Sequence, residues 1–517
     1  MGNYKITVLE KNDFSGGRLS IINKDGYRFD QGPSLYLMPW VFEQAWLDLG
    51  LGKAEKDLDL LKCATNYRVY FEDDDSVKLS TDMSQVKQEL ERIEPGSFPN
   101  FLKWLSQSGN HYHISCARVL SRPLQSIFEL VNLTDLLSLS KLHLHENLYN
   151  WTSKFFRNEK LIQMLTFQSM YMGMSPCDAP ATYSLLAYSE FTEGIYYPKG
   201  GFHKVVEKLE RFAKDNNVEF RYNSPVKQIL KSGTKATGVL LETGEQIEAD
   251  VILCNADLVY SYNALTDDAE MQAKLAKYEH TCSVIVFYWG LDIKLPNVDA
   301  HTIYLAGDYK QSFEDIFKGH TLPKIPSFYV HCPSKMDESA APPNCEALMI
   351  LVPVGHPNEF SDKEISELKR RARSFVLQRM SKNIGIDLAK HIVSETVNDP
   401  ITWNQKFNLP FGSALGLAHG ISQVTIFRPK MKDPKTDNLY FVGASTNPGT
   451  GVPIVMLGAK LASNMINDDL QGVKKEILAA AIFSFTFRMI RFIIFFSLGF
   501  FIFKWYHSLS MKSSQEL

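Results

Sequence analysis

The clearest chemical signal is an acidic residue that ends a short apolar stretch and is followed by a glycine-rich loop. Residues 5–10 (KITVLE) predict a strand, and residues 12–18 (NDFSGGR) predict a loop, because adjacent glycines interrupt regular structure. In dinucleotide-binding βαβ units, an acidic residue at the end of a parallel strand accepts hydrogen bonds from ribose hydroxyls. Glu10 is therefore a candidate ribose ligand.

The glycine loop that holds the pyrophosphate in such units does not occur in its usual place. A G-x-G-x-x-G pattern is expected about 20 residues before the acidic residue. Only residues 1–9 precede Glu10, and they contain no such pattern. Taken alone, the dinucleotide fingerprint is absent, and Glu10 by itself is a weak signal.

A second glycine-rich segment lies near the C-terminal end of the predicted globular region. Residues 438–443 predict an apolar strand, a Gly/Pro loop follows, and residues 452–466 predict a helix. The start of a helix presents free N–H groups and a partial positive charge, which favour an anionic ligand. This end of the helix is a second candidate binding element.

Four segments carry a family resemblance when they are taken together and in order. They are ITVLEKNDFSGGRLS, DGYRFDQGPSLYLMP, YYPKGGFHKVVEKL and NLYFVGASTNPGTGVPIVMLGAKLA. With these segments, the chain resembles the bacterial–fungal type of phytoene desaturase, within the amine-oxidase-like flavoprotein superfamily. The resemblance extends to about residue 466, and the order and spacing of its motifs make it specific.

The resemblance implies FAD as the cofactor and assigns residues to it. Glu10 would bind the adenosine ribose, Gly16, Gly17 and Arg18 would approach the phosphates, and Val226 would contact the adenine end. The remaining implied contacts lie along the ribityl chain and the isoalloxazine ring: Gly32, Pro33, Ser34, Gly443, Gly449, Thr450, Gly451, Val452 and Pro453. Glycine permits close approach of the backbone, and arginine offers a forked donor for phosphate.

The chain departs from the family pattern at two places. Asn447 stands where the family usually has His before Pro-Gly, and an amide cannot carry a proton charge. The first strand, glycine loop and helix of the family do not precede Glu10. We therefore expect this polypeptide to bind FAD weakly or not at all unless such a segment is supplied upstream.

The implied fold is α/β, with a discontinuous Rossmann-like FAD-binding domain, a mixed α+β substrate domain and a C-terminal hydrophobic membrane helix. The predicted FAD-binding segments are 1–83, 195–257 and 403–468. Segment 84–194 is predicted to be helical and to face the substrate or the membrane, 258–402 to be a substrate domain of mixed sheet and helices, and 469–517 to be a membrane-anchor tail.

The resemblance implies dehydrogenation of a long carotene, phytoene, to lycopene or a further desaturated product. Such a substrate has no polar group, so its site is expected to be a long apolar channel. The lining candidates are aromatic and methionine side chains of the helical region: Phe155, Phe167, Met170, Tyr171, Met174 and Tyr188. No acid or base for catalysis is predicted, and a quinone or oxygen is expected to accept the electrons.

Composition excludes some partners and indicates a membrane. The net charge of −3 provides no basic field for nucleic acid, and seven scattered cysteines without C-x-x-C pairs predict neither disulfides nor a zinc site. Residues 477–503 are almost all apolar and span about 40 Å as a helix, against about 30 Å of bilayer core. Arg488 and Arg491 each cost roughly 2.5–3.5 kcal/mol at a bilayer centre. The tail is thus predicted either to span the membrane or to lie in its interface, with the catalytic domain facing the cytosol.

Two alternatives for the function remain open. The chain could be a carotenoid isomerase or a retinoid saturase-like flavoenzyme, which product analysis would distinguish. It could also be a non-catalytic, membrane-attached protein that binds carotenoid or a partner without flavin. The absence of G-x-G-x-x-G before Glu10 favours this second alternative.

Overall fold

The computed structural model describes residues 4–124, 129, 138–357 and 361–472 of the 517-residue chain. Its strands are β1 (Thr7–Leu9), β2 (Ile21–Lys24), β3 (Tyr27–Asp30), β4 (Leu60–Lys62), β5 (Tyr67–Tyr70), β6 (Ser76–Leu79), β7 (Tyr196–Pro198), β8 (Glu219–Arg221), β9 (Val226–Ser232), β10 (Lys235–Leu241), β11 (Gln246–Glu248), β12 (Ile252–Cys254), β13 (Ser283–Leu291), β14 (His301–Tyr304), β15 (Phe328–His331), β16 (Glu346–Val354), β17 (Ile392–Asn398) and β18 (Leu439–Phe441).

The α-helices of the same residues are α1 (Pro39–Leu49), α2 (Ala54–Asp57), α3 (Met83–Ile93), α4 (Phe98–Ile114), α5 (Leu148–Thr152), α6 (Glu159–Met164), α7 (Leu185–Thr192), α8 (Lys204–Asp215), α9 (Leu258–Tyr260), α10 (Ala269–Leu275), α11 (Tyr309–Phe317), α12 (Asp362–Ile384), α13 (Pro400–Phe407) and α14 (Val452–Gln471). Short 3₁₀ helices, among them Phe167–Met172 and Ala181–Ser184, join the helices of the predicted helical region.

Two pairs of parallel strands form the part of the fold that resembles a nucleotide-binding sheet. β1 pairs with β8, and β12 pairs with β18. The sequence predicts a β-meander from strands at 227–230, 236–242 and 246–253. The structure has the antiparallel meander β9–β10–β11 there, but the last predicted strand divides into β11 and β12. The two strands are separate because β12 does not pair with the meander. It pairs with β18, and the first paired residues, Ile252 and Leu439, are 187 residues apart in the sequence.

A seven-stranded mixed sheet, in the order β17-β13-β16-β15-β14-β5-β6, forms the core of the predicted substrate domain. β13 and β16 are almost entirely buried apolar strands and pair over their whole lengths. The hairpin β5–β6, predicted within the first FAD-binding segment, joins this sheet through parallel pairing of β5 with β14. The domain division at residue 83 therefore does not follow the sheets.

Local sequence explains the ends of the long helix that packs on this sheet. The Ser361 hydroxyl accepts a hydrogen bond from the Glu364 amide before α12, and Gly385, at φ 76°, ends the helix. A polar N-cap and a left-handed glycine are the usual signals for a helix start and stop. Ile365, Leu368 and Ala372 then face the core of the sheet.

The region from α3 to α7 is helical, as predicted, and it encloses an aromatic core. Phe101 packs on Trp104 and Phe191, and Trp104 packs on Trp151, with ring centroids 5.1–6.1 Å apart. These rings bury large apolar areas, which provide most of the driving force for packing short helices together.

The chain divides into two compact units, Met1–Ala459 and Lys460–Leu517, and the boundary falls within α14. No helix in residues 4–124, 129, 138–357 and 361–472 combines the length and apolar character needed to cross a bilayer. The predicted membrane segment, residues 477–503 with Ser484, Arg488 and Arg491, lies outside the described residues.

Candidate functional site

The carboxyl ends of the two parallel strand pairs carry polar residues and glycines. Glu10 directly follows β1, Asn255 and Asp257 follow β12, and Gly443 follows β18. The Asn255 side-chain amide donates to the Val442 carbonyl at 2.9 Å and joins the ends of β12 and β18. Ligands of parallel α/β sheets bind at this end of the strands.

The Glu10 carboxylate accepts two hydrogen bonds from the loop that follows it. Its Oε1 accepts from the Asn12 backbone amide at 2.8 Å and from Asn12 Nδ2 at 2.9 Å. A carboxylate has about four lone-pair positions, so these two bonds leave acceptor capacity for ribose hydroxyls. The side chain is only partly buried, which leaves it accessible to a ligand.

The Gly-Gly-Arg loop and the Gly32 segment lie in direct contact. Gly16 has φ 89° and Gly17 has φ 55°, so both occupy conformations that side chains disfavour. A Cβ on Gly32 would come within 2.9 Å of the Arg18 carbonyl oxygen. Two predicted cofactor segments therefore meet at a backbone contact that only glycine permits.

Arg18 and Asp257 place a cation and an anion close to the predicted cofactor segments. Arg18 Nη1 donates to the Ala414 carbonyl at 2.6 Å, and the pKa of Arg18 is lowered by burial, although nearby Asp257 opposes the shift. Burial raises the pKa of Asp257, against hydrogen bonds that include one from Ser445 Oγ at 3.1 Å. Both side chains nevertheless keep some accessible surface. Both charged groups are thus accessible to a ligand.

The loop that precedes α14 approaches the same region through glycines. Gly443, Gly449 and Gly451 have φ of 132°, 136° and 102°, values that side chains rarely adopt. Thr450 and Pro453 are buried, and α14 begins at Val452. The backbone of the loop and the first turn of α14 are thus accessible to a ligand, because few side chains cover them.

Sequence reasoning missed the buried cation beneath this loop. Arg428 donates to the carbonyls of Thr446, Ala418 and Gln423 at 3.0 Å each, to the carbonyl of Ala444, and to His419 Nε2 at 2.9 Å. Burial lowers its pKa to about 10. Backbone carbonyls, rather than a carboxylate, therefore hold this positive charge against the loop. No local pattern marks Arg428, because most of its partners are brought in by the fold.

These observations fit FAD. Glycines line the approach at positions 16, 17, 32, 443, 449 and 451, and a Cβ at several of them would fill space or strain the backbone. Within the described residues, the buried atoms Gln31 Nε2 and Asn447 Oδ1 have no hydrogen-bond partner. Buried polar groups without partners indicate a ligand or water that completes them. Arg18, the start of α14 and Glu10 provide the cationic and acceptor groups that a dinucleotide needs.

The other predicted cofactor residues occupy less distinctive positions. Pro33 is partly buried, and Ser34 is buried with its Oγ 2.7 Å from the Tyr329 hydroxyl. Val226 begins β9 and pairs with Leu241. Their contacts with a cofactor stay predictions.

The predicted substrate residues of the helical region pack against different aromatic side chains. Phe167 and Tyr171 pack on Tyr67, with ring centroids 5.3 and 6.4 Å away. Phe155 packs on Trp151 and Tyr188 on Tyr112, each at 5.3 Å. Met170 packs against the same cluster of buried side chains and is partly accessible, and Met174 is buried. A channel formed by all six stays a prediction.

The comparisons with known proteins agree on one family. The model of the flavin-containing amine oxidoreductases matches residues 1–467. The chain is 46% identical over 483 residues to phytoene desaturase of Phycomyces blakesleeanus, covering 91% of this chain and 82% of the relative. It is 45% identical over 480 residues to phytoene desaturase of Neurospora crassa, covering 90% and 81%. A putrescine oxidase variant superposes with a TM-score of 0.59 at 11% identity, covering 90% of this chain and 93% of that one, which shows the fold alone.

Proposed function

The chain belongs to the flavin-containing amine oxidoreductases and, among them, to the phytoene desaturases, and from this premise we propose how it acts on its carotene. It is an FAD-dependent oxidoreductase with the α/β fold of that family. The observation that carries the assignment is the 46% identity over 91% of the chain. The family model matches residues 1–467, which contain every glycine-rich segment described above. The proposed reaction is dehydrogenation of phytoene to lycopene or a further desaturated carotene.

The residues of this chain bind and orient the cofactor. Arg18 and the start of α14 would hold the phosphates and the ring, and Glu10 would hold the adenosine ribose. FAD, when bound, supplies the acceptor for a hydride from the substrate. Asn447, with its Nδ2 bonded to the Pro123 carbonyl at 2.7 Å and its Oδ1 facing no protein donor among the described residues, would accept a hydrogen bond from the ligand side.

The helical region provides the surroundings that a polyene requires. Phe167 is buried, and Met170 and Tyr171 are partly accessible beside it. A carotene offers only apolar surface, so methionine and aromatic side chains bind it by shape and by dispersion contacts. The same side chains exclude water from the reacting carbons.

We propose that the protein works at a membrane, with its catalytic part facing the cytosol. Its substrate and product partition into lipid, and residues 477–503 contain the apolar stretch that would attach the chain to the bilayer. A membrane quinone or oxygen would then take the electrons.

The test is a single-turnover assay with the full chain, FAD in excess and phytoene in liposomes. The proposal expects one new double bond to form in the carotene for each bound flavin, and a quinone added to the liposomes to extend the reaction beyond one turnover, to coloured products. The proposal is wrong if flavin binds and phytoene remains unchanged. Product analysis separates desaturation from isomerisation, because only desaturation lengthens the conjugated system.

A further inference from the structure

A fully buried glutamate lies in the helical region, and no predicted role accounts for it. Glu190 of α7 is 2% exposed. Its Oε1 accepts from the Tyr67 hydroxyl at 3.0 Å, and its Oε2 accepts from Gln168 Nε2 at 3.1 Å. No ion pair to this carboxyl occurs in the part of the chain that the structure describes. Both carboxyl oxygens are therefore acceptors in an apolar setting.

The hydrogen bonds around Glu190 all run in one direction. The Tyr171 hydroxyl donates to the Tyr67 oxygen at 2.5 Å, and Tyr67 in turn donates to Glu190. Because Tyr171 gives its proton to Tyr67, its own oxygen keeps lone pairs free to accept another proton. The series is thus oriented to carry a proton from Tyr171 towards Glu190.

Tyr171 is the accessible end of this series. Tyr67 and Glu190 are fully buried, whereas Tyr171 keeps part of its surface accessible, although burial raises its pKa well above the usual range. Its partial exposure leaves the Tyr171 ring accessible to a ligand. Phe167, a predicted substrate contact, packs against the same ring at 5.9 Å.

The accessible end also lies near the predicted flavin segment. Tyr329 bridges the two regions: its hydroxyl is 2.7 Å from Ser34 Oγ and 2.7 Å from His301 Nδ1. Tyr67 lies beside His301, with ring centroids 6.1 Å apart, so His301 and Tyr329 connect the Ser34 segment with this series. The glutamate series therefore begins where the substrate and the cofactor would meet.

Among these groups, Glu190 is suited to hold a proton reversibly. Burial raises its pKa to about 8, against the hydrogen bonds that lower it. Burial raises the pKa of Tyr67, Tyr171 and Tyr329 well above 10, and burial beside His331 lowers the pKa of His301 far below 6.5. The tyrosines stay protonated and His301 stays neutral near pH 7–8, so only Glu190 changes charge there.

A purely structural role does not explain a glutamate at this position. Two acceptor oxygens require an ionised carboxylate, and burying that charge without a cationic partner is costly. An ionisable group kept in an apolar interior is a candidate functional group.

We propose that Tyr171, Tyr67 and Glu190 form a proton relay that takes up the proton released in each desaturation step. The inference rests on the proposed function. One C–H bond of the carotene breaks as a hydride, with both electrons passing to the oxidant, FAD. The adjacent C–H bond breaks as a proton, and its electron pair becomes the new double bond. That proton binds Tyr171 Oη, the Tyr171 proton moves to Tyr67, and the Tyr67 proton moves to the Glu190 carboxylate.

The relay predicts how the rate depends on pH. Because Glu190 must be ionised to accept the proton, the rate of the flavin-loaded full chain should rise with pH through about 8. Glu190→Gln should lose this rise and about 100-fold or more in rate, which is the usual contribution of a positioned acid or base. Tyr171→Phe should lower the rate to a similar extent, because it removes the entry to the relay.

A matched control separates the relay from general damage to the core. Tyr304 is a buried tyrosine of β14 whose hydroxyl has no hydrogen-bond partner among the described residues. Tyr304→Phe makes the same chemical change outside the relay and should leave the rate and the pH profile unchanged. Bound flavin is measured for every variant, so that a lost cofactor is not mistaken for a lost proton acceptor.

A second measurement does not depend on turnover. Infrared difference spectra of the protein should show a protonated carboxyl band that disappears as the pH rises through about 8 and that is absent from Glu190→Gln. The relay is overturned if that band persists in the variant, or if the variant keeps the rate and rising pH profile of the parent protein while phytoene is still converted. Failure of the parent protein to convert phytoene overturns the proposed function, and the relay with it.

Discussion

Arg18 combines a fixed charge with an enclosed position close to the predicted cofactor segments. Its guanidinium bonds to one backbone carbonyl, at Ala414, and retains further donors. Charge-assisted hydrogen bonds contribute about 1.5–3 kcal/mol each. Arg18 should therefore provide a large share of the affinity for the flavin phosphates.

Replacing this arginine tests that role. We expect Arg18→Ala to raise the Kd for FAD by about 10- to 100-fold, the equivalent of one charge-assisted hydrogen bond. Arg92→Ala is the control, because Arg92 lies on the surface in an ion pair with Asp75, and such pairs contribute about 0–1 kcal/mol. Flavin fluorescence titration measures both. Equal affinities for the two variants would contradict the assignment of Arg18.

Glu190 should make stability depend on pH. Its folded pKa, about 8, lies above the ordinary glutamate value of 4.5. The folded state therefore binds the proton more tightly than the unfolded state does. The protonated Glu190 thus contributes to the free energy of unfolding, fully below pH 4.5 and less and less as the pH rises to about 8. We expect Glu190→Gln to melt at a higher temperature than the parent protein at pH 8–9. A lower melting temperature for the variant at that pH would contradict the raised pKa.

Some of these residues are visible in the sequence and others are not. Gly16, Gly17 and Arg18 are consecutive, so a local pattern is enough to predict a binding loop. Glu190 reaches its partner Tyr67 across 123 residues, and nothing in its neighbourhood in the sequence marks it. Side chains whose role depends on such distant contacts require the fold.

At the scale of elements, the loop before α14 is defined by its backbone. Gly451 has φ 102°, outside the regions that residues with a side chain normally adopt. The strain of such a conformation is of order 1–3 kcal/mol. A side chain here would be expected to move the loop and the first turn of α14.

Gly451→Ala tests the loop. We expect it to lower flavin occupancy several-fold because the first amides of α14 would no longer point at the cofactor. Gly233→Ala is the control: this turn between β9 and β10 also has a positive φ, 58°, and a Cβ there would meet no atom within 4 Å. It should reduce stability slightly and leave flavin occupancy intact. Flavin occupancy of both variants is measured as the ratio of flavin absorbance to protein absorbance. Unaltered occupancy in Gly451→Ala would contradict a role of this loop in binding flavin.

How well each strand can be predicted from the sequence depends on its composition. The apolar runs at 283–288 and 347–352 predict two strands, and the structure has β13 and β16 there, each a few residues longer than the run. β14 and β17 were missed, because polar residues interrupt both: β14 reads HTIY and β17 reads IVSETVN. The pairing of β5 with β14 joins segments more than 230 residues apart, and no local signal indicates it.

At the scale of the whole molecule, the α/β fold with a mixed sheet and the cofactor were predicted correctly from four ordered segments. The comparisons confirm the family and the flavin, whereas the attachment to a membrane stays a prediction because residues 477–503 lie outside the described residues. Composition identifies such an apolar stretch. Its two arginines leave both alternatives open, a helix that spans the bilayer and one that lies in its interface.

Removing the tail tests that attachment. We expect a chain that ends at Gly472 to remain in the supernatant when it is mixed with liposomes, whereas the full chain sediments with them, because the removed segment is the most apolar one in the sequence. The tail fused to an inert soluble protein is the control and should sediment. Sedimentation of the shortened chain would place the membrane contact elsewhere.

Flavin-dependent desaturation is the central claim, and anaerobic titration of the protein with phytoene tests it most directly. The experiment uses the chain with FAD in excess, and in parallel a form extended before Tyr4 by a strand, a G-x-G-x-x-G loop and a helix. The account predicts that whichever form holds flavin loses its yellow absorbance as phytoene is added, with one new double bond formed for each flavin bleached. Bound flavin that keeps its absorbance in the presence of phytoene, in both forms, would contradict the account.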